Sequence, residues 1–269
     1  MNYRHAFHAG NHADILKHLV LVETLAYMNQ KDKPWWYVDT HAGAGAYDLE
    51  GDYARKNAEY DTGIGRIWSR ADLPPALERL AALVRAVNPD GRLRHYPGSP
   101  LLAKALARPV DKLWLFELHS SDLPLLRQTL ADAGKQVHIE ARDGFAGLTA
   151  VLPPQPRRGL ILIDPSYELK EDYRRVTDAL KDGLKRFATG TYAVWYPMLP
   201  RQESRQLPDR LKRLSVTSWL HANLTVRDPA REGHGMHGSG MFVINPPWTL
   251  HATLKQTLPW LASALGEDG

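Results

Sequence analysis

The sequence predicts an α/β protein: a seven-stranded, mostly parallel sheet sandwiched by helices and ended by an antiparallel hairpin. Three observations carry this. Runs such as "KLWLFEL" (112–118), "GLILID" (159–164) and "TYAVWY" (191–196) are apolar on both faces, as strands buried in a parallel sheet are. Helical apolar spacing alternates with these runs. Near the C-terminus, "SWLHANLTV" and "GMFVINP" are separated by a Gly- and Pro-containing loop and no helix, which reads as a hairpin.

The first helix is predicted from Asn11 to Met28, with Ile15, Leu19, Val22 and Leu25 at helical spacing. Asn11 reads as its N-cap and Asp14 as an acid in its first turn. "WWYVD" is a strand ending at Asp39. Further strands are expected at Lys112–Leu118, Val137–Asp143, Gly159–Asp164 and Thr191–Tyr196, with helices over Asp122–Ala133, Glu171–Lys185 and Arg201–Leu214. Between the first two strands lie about seventy residues, where a simple crossover needs about a dozen. The excess carries helical pattern at Ile64–Trp68 and Pro75–Val87. Residues 47–94 are therefore read as an inserted helical subdomain within one domain, 1–269, and "PGSP" (97–100) as the start of the true crossover helix, Leu101–Ala107.

Composition limits the function classes. The 269 residues are 43% hydrophobic and 24% charged, globular values. No segment approaches the ~20 apolar residues that span a bilayer, so no membrane partner is expected. The N-terminus has no apolar core of a secretion signal. The absence of cysteine excludes disulfides, thiolate catalysis and Cys-ligated zinc, and it fits a cytoplasmic address. A net charge of +4 tilts the chain toward polyanions.

The chemistry lies at strand ends. "DTHAGAG" closes the first strand with Asp39 and continues into Gly43-x-Gly45, a turn that lets a ligand approach the backbone. The next strands end in Glu117, suited to a ribose diol, then Asp143 followed by Gly144, placed to read an adenine amine, then Asp164. Ligands bind at carboxyl ends of strands in open α/β sheets, so four acids there point to a nucleoside-containing cofactor. "DPSYE" (164–168) supplies a carboxylate, a proline-held carbonyl and an aromatic ring in sequence. A near copy, Asn245-Pro246-Pro247-Trp248, follows the last strand and reads as a structural turn. His8 and His12 are four apart, but Gly10 and Asn11 put a turn between them, so no metal is expected.

The element order has the outline of the Rossmann-like class I methyltransferase fold. "DTHAGAG" with "DPSYE" resembles the N6-adenine branch of S-adenosylmethionine-dependent methyltransferases, with Ser166 in place of the usual proline. More narrowly, "YRHAFHAGNHADILKH", "DTHAGAG", "YPGSP", "RRGLILIDPSYE", "KRFATGTYAVWYP" and "INPPW" resemble the ribosomal RNA large subunit methyltransferase J family over nearly the whole chain. The resemblance implies methylation of N6 of an adenine in 23S rRNA, met as naked or early-assembly RNA, with S-adenosyl-L-methionine as cofactor and no protein partner. It implies that Tyr3, His5 and Lys17 approach the target adenosine. It also implies that His18, His41, Ser99, Glu117, Asp143, Gly144 and Asp164 line the cofactor.

On that reading Asp164 and the Pro165 carbonyl accept the two amine N–H groups, and Tyr167 offers a face for the flipped base. Basic residues from Lys170 to Arg186, from Arg201 to Arg213 and within 47–94 are candidate phosphate contacts or solvated helix faces. The Arg227–Gly240 loop is expected to be mobile and either to close over substrate or simply to join the hairpin. Two alternatives stay open: a DNA adenine-N6 methyltransferase, and a non-catalytic nucleic-acid-binding protein serving DNA uptake.

Overall fold

The computed structural model describes residues 4–228 and 235–267. Its nine strands are β1 (Trp36–Asp39), β2 (Ala46–Asp48), β3 (His95–Pro97), β4 (Lys112–Phe116), β5 (Val137–Glu140), β6 (Gly159–Ile163), β7 (Thr191–Met198), β8 (Trp219–Thr225) and β9 (Gly238–Ile244). Seven of them form one sheet in the order β5-β4-β1-β6-β7-β9-β8. The first five in that order are parallel, and β9 runs antiparallel to both β7 and β8. This is the predicted sheet with its terminal hairpin. β6 is buried at every residue, which explains its unbroken aliphatic sequence.

The order reverses beside β1. The chain steps outward from β1 to β4 and β5, then returns to the other side of β1 at β6. Such reversals open a crevice at the carboxyl ends of the strands. The ladders stop at Phe116, Glu140 and Ile163, so Glu117, Asp143 and Asp164 lie just past the strands, on the loops that rim this crevice.

The helix α1 (His12–Met28), with Ser99–Leu106 and Leu250–Leu265, covers one face of the sheet. Helices Gly144–Val151, Lys170–Arg186 and Gln202–Lys212 cover the other. Asn11 caps α1 as expected, its side-chain oxygen accepting from the backbone N–H groups of Ala13 and Asp14 at 3.0 and 3.1 Å. The predicted helix Asp122–Ala133 is instead an α-helix, Asp122–Thr129, followed by a 3-10 segment, Ala131–Gln136. Gly134 at φ 57 and ψ −142 breaks the helical path there.

Between β1 and β4 lie the helices Asp52–Asn57, Glu59–Thr62, Gly65–Trp68 and Pro75–Ala86. β2 and β3 pair antiparallel at their base, Tyr47 opposite Tyr96. These three-residue strands are too short to carry a period, and the sequence reading has no strand there. The helices share one hydrophobic core with α1 and the sheet. Of the Arg227–Gly240 loop, residues 229–234 lie outside the described residues.

The second motif copy sits at the opposite end of the strands from Asp164. β9 is antiparallel to β7, with Ile244 opposite Tyr192 near the start of β7. Asn245 has φ 50 and donates through its side-chain amide to the carbonyls of Ala188 and Gly190, both at 2.8 Å. It therefore ties a turn together, and Trp248 is left 81% exposed. Asn245→Ala should lose about 1–3 kcal/mol of stability, which denaturant titration of the variant against the parent protein checks.

Candidate active site

Past the carboxyl ends of β1, β4 and β6 lies an open cleft lined by His18, His41, Gly43, Ser99, Glu117 and Asp164. Gly43 of the glycine loop lines it, whereas Gly45 does not and faces Leu126 and Thr129. Gly43 and Gly45 hold φ of 62 and 78, the left-handed region that side chains disfavour. A Cβ on Gly43 would lie 2.3 Å from the Tyr47 hydroxyl. Glu117 anchors the loop: one carboxylate oxygen accepts the Gly43 N–H at 2.7 Å and the other accepts the His119 N–H at 2.6 Å. Burial raises the Glu117 carboxyl above its ordinary range, against these two donors. Each oxygen keeps a further lone pair, and Glu117 lines the cleft.

Histidine 18 and His41 also line it, both uncharged. Burial lowers His18 to about 3 and His41 to about 4. His18 is stacked on Tyr96 and bonded to its hydroxyl at 2.8 Å. Ser99 lines the cleft while its hydroxyl donates to Asp39 at 2.7 Å.

Two strand-end acids are engaged by contacts within the protein. Asp39 is fully buried and does not line the cleft. Its carboxylate accepts from Tyr37, Ser99 and the His41 backbone, so it shapes the site through them. Asp143 and Gly144 do not line it either. Asp143 caps the Gly144–Val151 helix through Phe145 and Ala146 and pairs with Arg175. Burial would raise the Asp143 carboxyl, yet Arg175 and the capping N–H groups hold it below its ordinary range. Gly144 lets this helix approach β1, since a Cβ there would fall 1.9 Å from the Thr40 carbonyl oxygen.

The centre of the site is a buried charge cluster. The Lys17 ammonium lies 2.8 Å from an oxygen of Asp14, one helical turn earlier, and 2.6 Å from an oxygen of Asp164 past β6. Burial works against the Lys17 charge, but the two carboxylates hold its pKa well above the ordinary value. Asp14 also accepts from the Gly10 N–H and pairs with His5 at 2.9 Å. Burial opposes its charge too, yet His5 and Lys17 hold its carboxyl well below the usual range. At Asp164 burial wins over Lys17 and raises the carboxyl to about 6. Asp14 was legible only as a helix-start acid; its (i, i+3) spacing to Lys17 is the signal that finds it. Tyr3 lies outside the described residues.

A second cavity of about 760 Å³ meets the cleft at this cluster. His5, Lys17, Asp164 and Ser166 line both. Its other walls include Met236 and Arg201, from segments that the sequence marks as candidate substrate contacts, and Trp195, Pro197 and Leu199, which sequence reasoning did not assign to the site. Tyr167 also borders it, but not as an open stacking face. The ring is 1% exposed and packed on Tyr173 and Trp195, and its hydroxyl donates to the Trp195 carbonyl at 2.7 Å. Its backbone is left-handed, φ 53.

A doubly wound sheet with a glycine loop, a diol-suited carboxylate and a strand-end Asp-Pro beside a second cavity defines a Rossmann-like, S-adenosylmethionine-dependent methyltransferase. The family model for RsmJ, "Ribosomal RNA large subunit methyltransferase D, RlmJ", matches residues 32–269, and the chain belongs to that family. It is 49% identical over 269 residues to the ribosomal RNA large subunit methyltransferase J of Escherichia coli, covering all of this chain and 95% of the relative. It is 46% identical over 270 residues to the protein of that name from Haemophilus influenzae, with the same coverage. The crystal structure of protein LPL1258 from Legionella pneumophila superposes with a TM-score of 0.89 at 38% identity, covering 96% of this chain and 94% of that one. The cofactor is S-adenosylmethionine, and the cleft fits it: Glu117 lines the cleft and keeps acceptor capacity for a diol.

Glu117→Ala should weaken S-adenosylmethionine binding by about 1.5–3 kcal/mol, the scale of hydrogen bonds to a charged group. Titration calorimetry on the folded variant reads this directly, and unchanged affinity would remove Glu117 from the site.

Proposed function

We propose that this chain methylates N6 of a flipped-out adenine in 23S rRNA. The observation that carries this is the position of Asp164, where the cofactor cleft meets the second cavity. The bound cofactor supplies an electrophilic methyl group on a sulfonium centre. The residues of this chain must present the amine to it.

An exocyclic adenine amine is a poor nucleophile, because its lone pair is delocalised into the ring. Acceptors for both N–H groups turn the lone pair toward the methyl group. Lys17 holds one oxygen of Asp164. The other has no hydrogen-bond partner among the described residues and is available to one amine N–H. The Pro165 carbonyl takes the second, with φ restrained by its ring. Orientation then does much of the catalytic work. The amine gains positive charge as it is methylated, and the Asp164 carboxylate stabilises that charge and stands ready to take the proton. Trp195 and Pro197 give the base an apolar wall, with Lys17 5.8 Å from the Trp195 ring centre. His5 and Lys17 form a cap over the base.

The relatives' names specify ribosomal RNA of the large subunit, which favours RNA over a DNA target. The substrate proposed is naked or early-assembly RNA, since flipping costs least where a base is already unpaired. The helical segment 47–94 acts as an insertion within a single domain, 1–269, and its arginines help hold RNA. A cytoplasmic site of action follows from the substrate; among the described residues no helix is long and apolar enough to cross a membrane.

Asp164→Asn should nearly abolish single-turnover methyl transfer, with cofactor affinity largely kept. In the parent enzyme the reactive form is the carboxylate. With its pKa raised to about 6, kcat/KM should fall as pH drops through about 6 and level off above it. An acid limb near the ordinary carboxylate range would take Asp164 out of this role.

Substrate class is tested by mass mapping of methylated adenines after incubation with protein-free 23S rRNA or a matched DNA duplex. The RNA should be modified and the duplex poorly. Efficient modification of the duplex with none of the RNA would reverse the assignment.

A further inference from the structure

We propose that Arg201 is a positioning residue that holds the phosphate flanking the target nucleotide at the rim of the second cavity. This rests on the reading of that cavity as the base pocket. Arg201 lies between β7 and the Gln202–Lys212 helix, exposed yet lining the same cavity as Asp164, Lys17 and Trp195. One guanidinium nitrogen donates to the Tyr167 carbonyl at 3.2 Å. That bond fixes where the group sits. A guanidinium has five N–H donors in a planar fork, so the rest remain free to grip two oxygens of a phosphate.

Arg201 has no carboxylate partner among the described residues, whereas Lys170, paired with Glu203 two residues from Arg201, does. Lys170 is paired with Glu203 at 3.1 Å, and Arg175 with Asp143. Glu168 lies on the cavity wall as well, so the rim is not a diffuse positive surface. An anion there is placed by Arg201 itself. The geometry of base flipping demands such an anion. A base drawn in toward Asp164 leaves its sugar and phosphate at the mouth, where the guanidinium is. Arg201 also holds the carbonyl of the residue that follows Ser166, so RNA backbone and motif loop share one group. Docking the phosphate then stiffens the loop that carries Asp164 and Pro165.

The test compares the full-length enzyme with Arg201→Gln and Arg201→Lys on a short single-stranded RNA containing the target adenine. Arg201→Gln should raise KM for RNA about ten-fold, while calorimetry shows S-adenosylmethionine affinity unchanged, which also reports an intact fold. Losing one phosphate contact should lower the slope of log K against log salt by about 0.7. Arg201→Lys should recover the slope, because it keeps the charge. A methylphosphonate at the flanking phosphate should weaken binding by the parent enzyme and add nothing further in Arg201→Gln. An unchanged slope in Arg201→Gln, or additive losses with the neutral linkage, overturns the assignment. Parent enzyme that methylates this RNA while Arg201→Gln behaves identically removes Arg201 alone. Parent enzyme that methylates no RNA removes the proposed function, and this inference with it.

Discussion

The site depends on one buried cation. Lys17 is 5% exposed and held between Asp14 and Asp164, which come from the first helix and from the loop after β6. Removing one partner from a buried ion pair costs about 3–5 kcal/mol, because the remaining charge is stranded out of water. The cluster therefore locks the N-terminal segment onto the sheet at the place where chemistry is to occur. Through Asp14 it reaches His5 and the Gly10 backbone, so the cap and the catalytic loop are parts of one electrostatic unit.

That unit also explains the state of Asp164. Burial alone favours the neutral acid, which can neither offset positive charge on an amine nor take its proton. Lys17 works in the opposite direction and keeps the carboxylate within reach of neutral pH. The same ammonium occupies one oxygen and leaves the other without a partner among the described residues, so a single contact sets both charge and geometry. Cleft and cavity meet here because the sheet reverses its strand order beside β1. The second Asn-Pro-Pro motif has suitable letters but follows a strand of opposite direction. Its amide is spent on the Ala188 and Gly190 carbonyls, far from any such crevice.

Strand-end acids show how local reading succeeds and fails. Glu117 was legible because it closes a buried run, and its partners are His119, two residues on, and Gly43, on the neighbouring loop that any doubly wound sheet brings beside it. Asp39 closes a run in the same way, but Tyr37 and Ser99 enclose it, and Ser99 is sixty residues away in the chain. Asp143 is claimed by its own helix and by Arg175 from the next one. Tyr167 follows Asp-Pro at the spacing of a stacking platform, yet its hydroxyl is bound to the Trp195 carbonyl and its ring is enclosed.

By itself the sequence determined the sheet, its helical layers, the terminal hairpin and the loops on which chemistry must sit. Hydrophobic period, glycine turns and strand-end acids are local signals, and short-range sterics and burial enforce them. Only the tertiary structure decided which acids face the ligand and which are consumed in holding others. It alone brought Asp14 and Lys17 to Asp164, and Trp195 and Arg201 to the second cavity. Hydrogen bonds and ion pairs between distant segments make those choices, and a carboxylate already satisfied inside the protein has little left to offer a substrate.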